Sequence, residues 1–201
     1  MKRATGVSCL FLDVGGVLLT NGWDHHSRKR AATNLEDPRA RFRHFMFAQS
    51  KPYPRMIELI HKRKRRYGLR IVVVSNEARE LNVYRIRKFK LDRLVDSFVS
   101  SCFVHLRKPD ADIFRLALDI AQTPAGEVVY IENTPMFFQI AEGLGIRSVL
   151  HTDYRSTCAK RASFGSQNDE GLKMNYPKPT EERAKNCLRS ERSSQNEKST
   201  G

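Results

Sequence analysis

Five short apolar runs set the strongest limit on what this chain can become. Val7 to Leu12 ends at Asp13 and is followed by Gly15-Gly16. Leu69 to Val74 runs into Ser75-Asn76, and a shorter run lies around Phe98-Val99. Val128 to Ile131 ends at Glu132-Asn133, and Ile146 to Leu150 closes the series. Near-continuous apolar runs with several β-branched residues suit parallel strands buried on both faces. Helical segments fall between them. One covers 54–66, opened by Pro54 and stopped by Tyr67-Gly68, and another covers 77–89. A third is opened by Pro109-Asp110, with Ile113, Phe114, Leu116, Ala117, Leu118 and Ile120 as its apolar positions, and ends at Thr123-Pro124. A fourth runs from Pro135 to Gly145. This alternation predicts an α/β domain with an open, mostly parallel, Rossmann-like sheet and helices on both faces. Such sheets bind ligands outside the carboxyl ends of their strands.

The alternation does not use the whole chain. Of 201 residues 40% are hydrophobic, and the deficit sits in 25–44 and 157–201. The expected division is a core of 1–24 and 54–156, an insert at 25–53 and a polar, basic, disordered tail at 157–201. The insert has room for two short helices, around 25–33 and 38–49. No apolar run reaches the roughly 20 residues of a membrane span. The stretch after Met1-Lys2-Arg3 carries Asp13 and reads as a strand, not a signal peptide, so a cytoplasmic location is expected. Cys9, Cys102, Cys158 and Cys187 have no paired spacing, and Cys9 and Cys102 lie in strand-like segments as small hydrophobes. The net charge of +14 raises nucleic acid as a partner. That reading is not favoured, because Lys62 to Arg66 suit a solvated helix end and no nucleic-acid-binding motif accompanies the charge.

Asp13, Ser75, Lys108 and Glu132-Asn133 all fall at or just after strand-like segments. Each has a plainer reading alone. Asp13 before two glycines suits a turn, Ser75-Asn76 a helix cap, Lys108 a loop charge and Glu132-Asn133 a helix start. Asp24-His25-His26 has no third ligand at helical spacing and reads as a helix start. Trp23 reads as packing at the domain edge.

Taken in order, the four positions resemble the four motifs of the haloacid dehalogenase-like superfamily. The motif segments are Leu10 to Leu18, Val72 to Asn76, Arg107-Lys108-Pro109-Asp110 and Val129 to Asn133. Ala141 to Ile146 is similar to the stretch that follows the fourth motif, so the resemblance covers about residues 7–155. It implies Asp13 as a nucleophile that forms an aspartyl-phosphate, with Lys108 as the second catalytic residue. Ser75, Asn76 and Lys108 would bind the substrate, a small phosphorylated metabolite. Magnesium would be held by Asp13, the Gly15 carbonyl, Glu132 and Asn133. The insert would be a shortened helical cap.

Three departures from the family pattern bear on activity. Gly15 stands where phosphatases carry a second Asp that protonates the leaving group and activates water. Asn133 removes one charge from the metal motif, and the insert is too short for a full cap. The expected function is therefore a magnesium-dependent phosphatase with weakened or altered activity, concentrated on substrates whose leaving group needs no proton. The alternatives are a dehalogenase-type hydrolase, whose halide leaves unprotonated, and a catalytically silent binding protein. An acid supplied from elsewhere, His25 or His26 first, would restore alkyl phosphates. The oligomeric state is not readable.

Overall fold

The computed structural model describes residues 6–21 and 45–160. Most of the insert, with Trp23, Asp24, His25, His26 and both expected cap helices up to residue 44, lies outside them. So does the tail from residue 161. In chain order the elements are β1 Cys9–Leu12, α1 Pro54–Tyr67, β2 Arg70–Ser75, α2 Arg79–Phe89, β3 Ser97–Ser100 and α3 Ser101–Val104. They continue with α4 Asp112–Ala121, β4 Val128–Glu132, α5 Pro135–Gly143, β5 Arg147–Leu150 and α6 Tyr154–Ala159. Residues 45–49 are also helical.

The strands lie in the order β3-β2-β1-β4-β5, and every neighbouring pair is parallel. Alternate side chains of each strand point to opposite faces. Leu10, Leu12, Ile71, Val73, Val129 and Ile131 meet Met56, Leu59 and Ile60 of α1, with Tyr154 and Cys158 of α6 packed against them. Cys9, Phe11, Val72, Val74, Val128 and Tyr130 meet Ile113, Phe114 and Ala117 of α4 and Ala141 of α5. Both faces are thus covered, as the apolar runs require. Each large apolar side chain buried this way contributes roughly 1.5–3 kcal/mol.

Local chemistry sets the ends of α1. Pro54 opens it, Gly68 closes it in the left-handed region at φ 62°, and Lys64, Arg65 and Arg66 complement its negative end. Lys64 also pairs with Asp96 at 2.6 Å. Three local expectations are corrected. Cys102 sits in α3, not in a strand. Asp110 lies ahead of α4, where its Oδ1 accepts from the Asp112 amide at 3.0 Å, so it serves as a turn cap. The last helix runs three residues past 156, held by a capping box between Asp153 and Ser156, and its Thr157 is buried against His151 at 2.6 Å.

Among the described residues no helix is long and apolar enough to cross a membrane. Cys9 is buried in β1, and burial pushes its thiol up to about 12, so it stays a neutral packing group.

Candidate active site

β1 is the central strand, with β2 on one side and β4 on the other. The chain leaves β1 toward β2 and leaves β4 toward β5, so the two connections diverge and the crevice of a doubly wound sheet opens between the carboxyl ends of β1 and β4. Asp13 stands one residue beyond β1, and its amide donates to the Ile131 carbonyl at 3.1 Å. The turn that follows needs a residue at φ +82°, and Gly16 supplies it. Gly15 carries no such constraint. A Cβ added there would meet the flexible end of Asn21 at 2.5 Å and Arg85 Nη1 at 3.9 Å.

Lys108 arrives from the loop before α4 and is 1% exposed. Its Nζ donates to Asp13 Oδ1 at 3.0 Å, to Glu132 Oε2 at 2.7 Å and to the Tyr130 hydroxyl at 3.0 Å. One buried cation thus holds two carboxylates together. Ser75 ends β2 in register with Ser100 of β3 and is also buried. Asn76, expected to bind substrate, is committed elsewhere. Its Oδ1 accepts from the Lys108 amide at 2.9 Å and its Nδ2 donates to the Lys108 carbonyl at 2.7 Å. Both ends of the amide fix the lysine loop in place.

Glu132 is fully buried and saturated with donors. Oε1 accepts from the amides of Asn133 and Thr134, each at 2.9 Å, at the start of α5. Oε2 accepts from Lys108 and from the Tyr130 hydroxyl. Burial first, and the Glu132 charge second, hold the Tyr130 phenol well above its ordinary range, so it remains a donor.

The Asn133 side chain reads in two ways. With Nδ2 toward Gly15 O (3.2 Å) and Glu132 Oε1 (3.0 Å), its Oδ1 accepts from Asn21 Nδ2 at 3.2 Å and every group is satisfied. Turned over, its oxygen faces the same two oxygens, an arrangement that a cation between them would stabilise. The oxygens of Asp13, Gly15 and Asn133 are the hard type that magnesium takes. They carry little charge. Among the described residues no three His, Cys, Asp or Glu side chains gather as a metal cluster. The set fits a weakly held hard cation.

Three participants escaped the sequence. Tyr130 lies two residues before Glu132, on the same strand face, and period-two spacing would have found it. Arg85 reaches to 3.9 Å from a Cβ at position 15, and Glu77, eight residues before it, is joined to it at 2.5 Å.

A parallel sheet with a carboxylate–lysine–carboxylate cluster at the carboxyl end of its central strand agrees with the motif order that resembles the haloacid dehalogenase-like hydrolases. The chain belongs to that family, whose sequence pattern it matches over residues 22–151. Asp13 precedes the matched span. A local match is 29% identical over 82 residues to the candidate pyrophosphatase PpaX of Caldanaerobacter subterraneus subsp. tengcongensis. It covers 41% of this chain and 37% of that protein, so the chain spans well under half of that relative.

Solved structures share the fold. An enzyme of the same family from Bacteroides thetaiotaomicron, crystallised with magnesium and inorganic phosphate, has a TM-score of 0.59 and 14% identity. That likeness covers 74% of this chain and 97% of the other. CbbY from Rhodobacter sphaeroides, in complex with phosphate, has a TM-score of 0.55 and 19% identity, over 72% of this chain and 85% of the other.

Proposed function

We propose that this hydrolase is a phosphatase-type enzyme acting on a small phosphorylated metabolite, with Asp13 as its nucleophile. The observation that carries the reading is the placement of the Lys108 ammonium 3.0 Å from Asp13 and 2.7 Å from Glu132, at the crevice of the sheet. Asp13 Oδ would attack phosphorus, forming an O–P bond as the bond to the leaving oxygen breaks. Lys108 orients that carboxylate and offsets the charge of the incoming phosphoryl group. Ser75 would donate to a phosphoryl oxygen. Water then attacks phosphorus, the Asp13–phosphorus bond breaks, and inorganic phosphate leaves.

Asp13, the Gly15 carbonyl and Asn133 would hold magnesium, with Glu132 contributing charge from behind. The ion would supply charge neutralisation at the phosphoryl oxygens. The Bacteroides structure with magnesium and phosphate supports this assignment by likeness of fold. Position 15 has no acidic side chain, so the proton for the leaving oxygen must come from another group. A panel of sugar, alkyl, acyl and nitrophenyl phosphates and pyrophosphate, assayed with and without magnesium, tests the reading with Asp13→Ala as the blank. Magnesium-stimulated phosphate release that vanishes in the variant is the expected result. Release that persists in the variant would contradict it.

A further inference from the structure

Glu77 is a buried carboxylate with one oxygen spoken for and one not. It lies two residues past Ser75 on the loop between β2 and α2, and its amide donates to Ser101 Oγ at 3.1 Å. Its Oε1 accepts from Arg85 Nη1 at 2.5 Å. Its Oε2 is buried without a hydrogen-bond partner among the described residues. Arg85 has no such deficit. It also donates to Ser50 Oγ and to the Thr20 carbonyl, each at 3.0 Å, and is 1% exposed. Native proteins rarely leave a buried acceptor empty, because doing so costs about 1–3 kcal/mol, and more for a charged group. Two further buried atoms lack partners among the described residues, Ser100 Oγ at the end of β3 and Asn82 Oδ1 on α2. Ser100 is the register partner of Ser75. The unsatisfied atoms thus belong to elements at the carboxyl edge of the sheet, where a substrate and its water would enter.

The same carboxylate is linked through Arg85 to the position that lacks an acid. Arg85 Nη1 is 3.9 Å from where a Cβ on residue 15 would stand, and Glu77 Oε1 is one hydrogen bond further on. We propose that Glu77 carries the proton that residue 15 cannot, delivering it to the leaving oxygen and then taking one from the attacking water. This rests on Asp13 being the nucleophile. In the first half-reaction the Glu77 O–H bond breaks as the departing oxygen gains its proton. In the second, the carboxylate takes a proton from water as the oxygen of that water bonds to phosphorus. The cycle returns Glu77 to its starting form.

The charged groups facing Glu77 are Arg85 of α2, Asp13 beyond β1 and Lys108 before α4. Burial is the largest influence and raises the carboxyl to about 7, with Arg85 and Lys108 opposing and Asp13 assisting. Near neutrality both protonation states are populated, as a group that gives and then takes a proton requires.

The test compares native protein, Glu77→Gln and Asp13→Asn on glycerol phosphate and nitrophenyl phosphate, in magnesium. Glu77→Gln should still release one equivalent of nitrophenol in a burst and accumulate phosphorylated protein. Its later turnover, and its whole rate on glycerol phosphate, should fall by about 10²-fold or more. In the native protein kcat/KM for glycerol phosphate should decline above pH 7. Turnover of nitrophenyl phosphate should decline below it, and Glu77→Gln should lose both limbs. Formate added to Glu77→Ala should restore part of the turnover. Native rates in Glu77→Gln on both substrates would overturn the proposal and leave the Asp13 reading standing. A slow Glu77→Gln that keeps both pH limbs, with no formate rescue in Glu77→Ala, would make Glu77 structural and overturn it too. Activity surviving in Asp13→Asn would overturn both readings.

Discussion

At the ends of β1 and β4, Lys108 donates to Asp13, Tyr130 and Glu132, and Glu132 has both oxygens fully occupied. At the end of β2, Glu77 has one oxygen on Arg85 and the other on nothing among the described residues. Both clusters are buried and both pair a carboxylate with a cation. The first is closed around Glu132 and Lys108, which hold Asp13 by one oxygen, as suits the nucleophile proposed there. The second is open by one lone pair, as suits a group that must exchange protons with something that arrives. Burial alone therefore does not distinguish the two carboxylates Glu132 and Glu77; the satisfaction of their lone pairs does.

The largest expected effect breaks the closed cluster. Lys108→Met leaves Asp13 and Glu132 buried without their shared cation, and removing one partner of a buried pair costs about 3–5 kcal/mol. Chemical denaturation should show that loss at neutral pH. It should shrink under acid, where the carboxylates take up protons. An unchanged midpoint would mean the two carboxylates reach water freely.

A smaller effect marks the open cluster. The folded chain holds the Glu77 proton up to about pH 7, whereas the unfolded chain releases it near the ordinary 4.5. The stability this contributes is complete below pH 4.5 and is lost as pH rises through 7, on the order of 3 kcal/mol in all. Glu77→Gln should flatten that part of the stability profile. A native profile that is already flat from pH 4.5 to 7 would show that Arg85 keeps Glu77 ionised throughout.

The smallest effect sharpens the boundary between the clusters and the metal. Asn133→Asp adds a charged oxygen beside Gly15 O and Glu132 Oε1, and should tighten magnesium binding in a calorimetric titration. Unchanged or weaker affinity would mean that residue 133 does not face the ion.

The fold was legible because each strand is an apolar run ending in a polar residue, and strand ends are where this architecture gathers its chemistry. The placement of Asp13, Ser75, Lys108 and Glu132 at the carboxyl edge of the sheet could be read for that reason. The role of Asn76 in holding the lysine loop could not be read. Its two hydrogen bonds to Lys108 join segments 32 residues apart, which no local pattern reports. Tyr130 was hidden among the apolar residues of β4. Glu77 and Arg85 were hidden in a different way: on a strongly charged helix and loop each resembles an ordinary solvated residue, and only packing shows Arg85 to be 1% exposed. Of the Gly15-Gly16 pair, only Gly16 has the positive φ of the turn, which the sequence alone does not assign to one or the other.

The central claim is that Asp13 takes the phosphoryl group. The direct measurement is mass spectrometry of protein quenched in acid during turnover of nitrophenyl phosphate, followed by peptide mapping. Phosphate on the peptide that contains Asp13, absent in Asp13→Asn and enriched in Glu77→Gln, is the result this account predicts. Steady product release with no phosphorylated Asp13 in the native protein or in Glu77→Gln would contradict it.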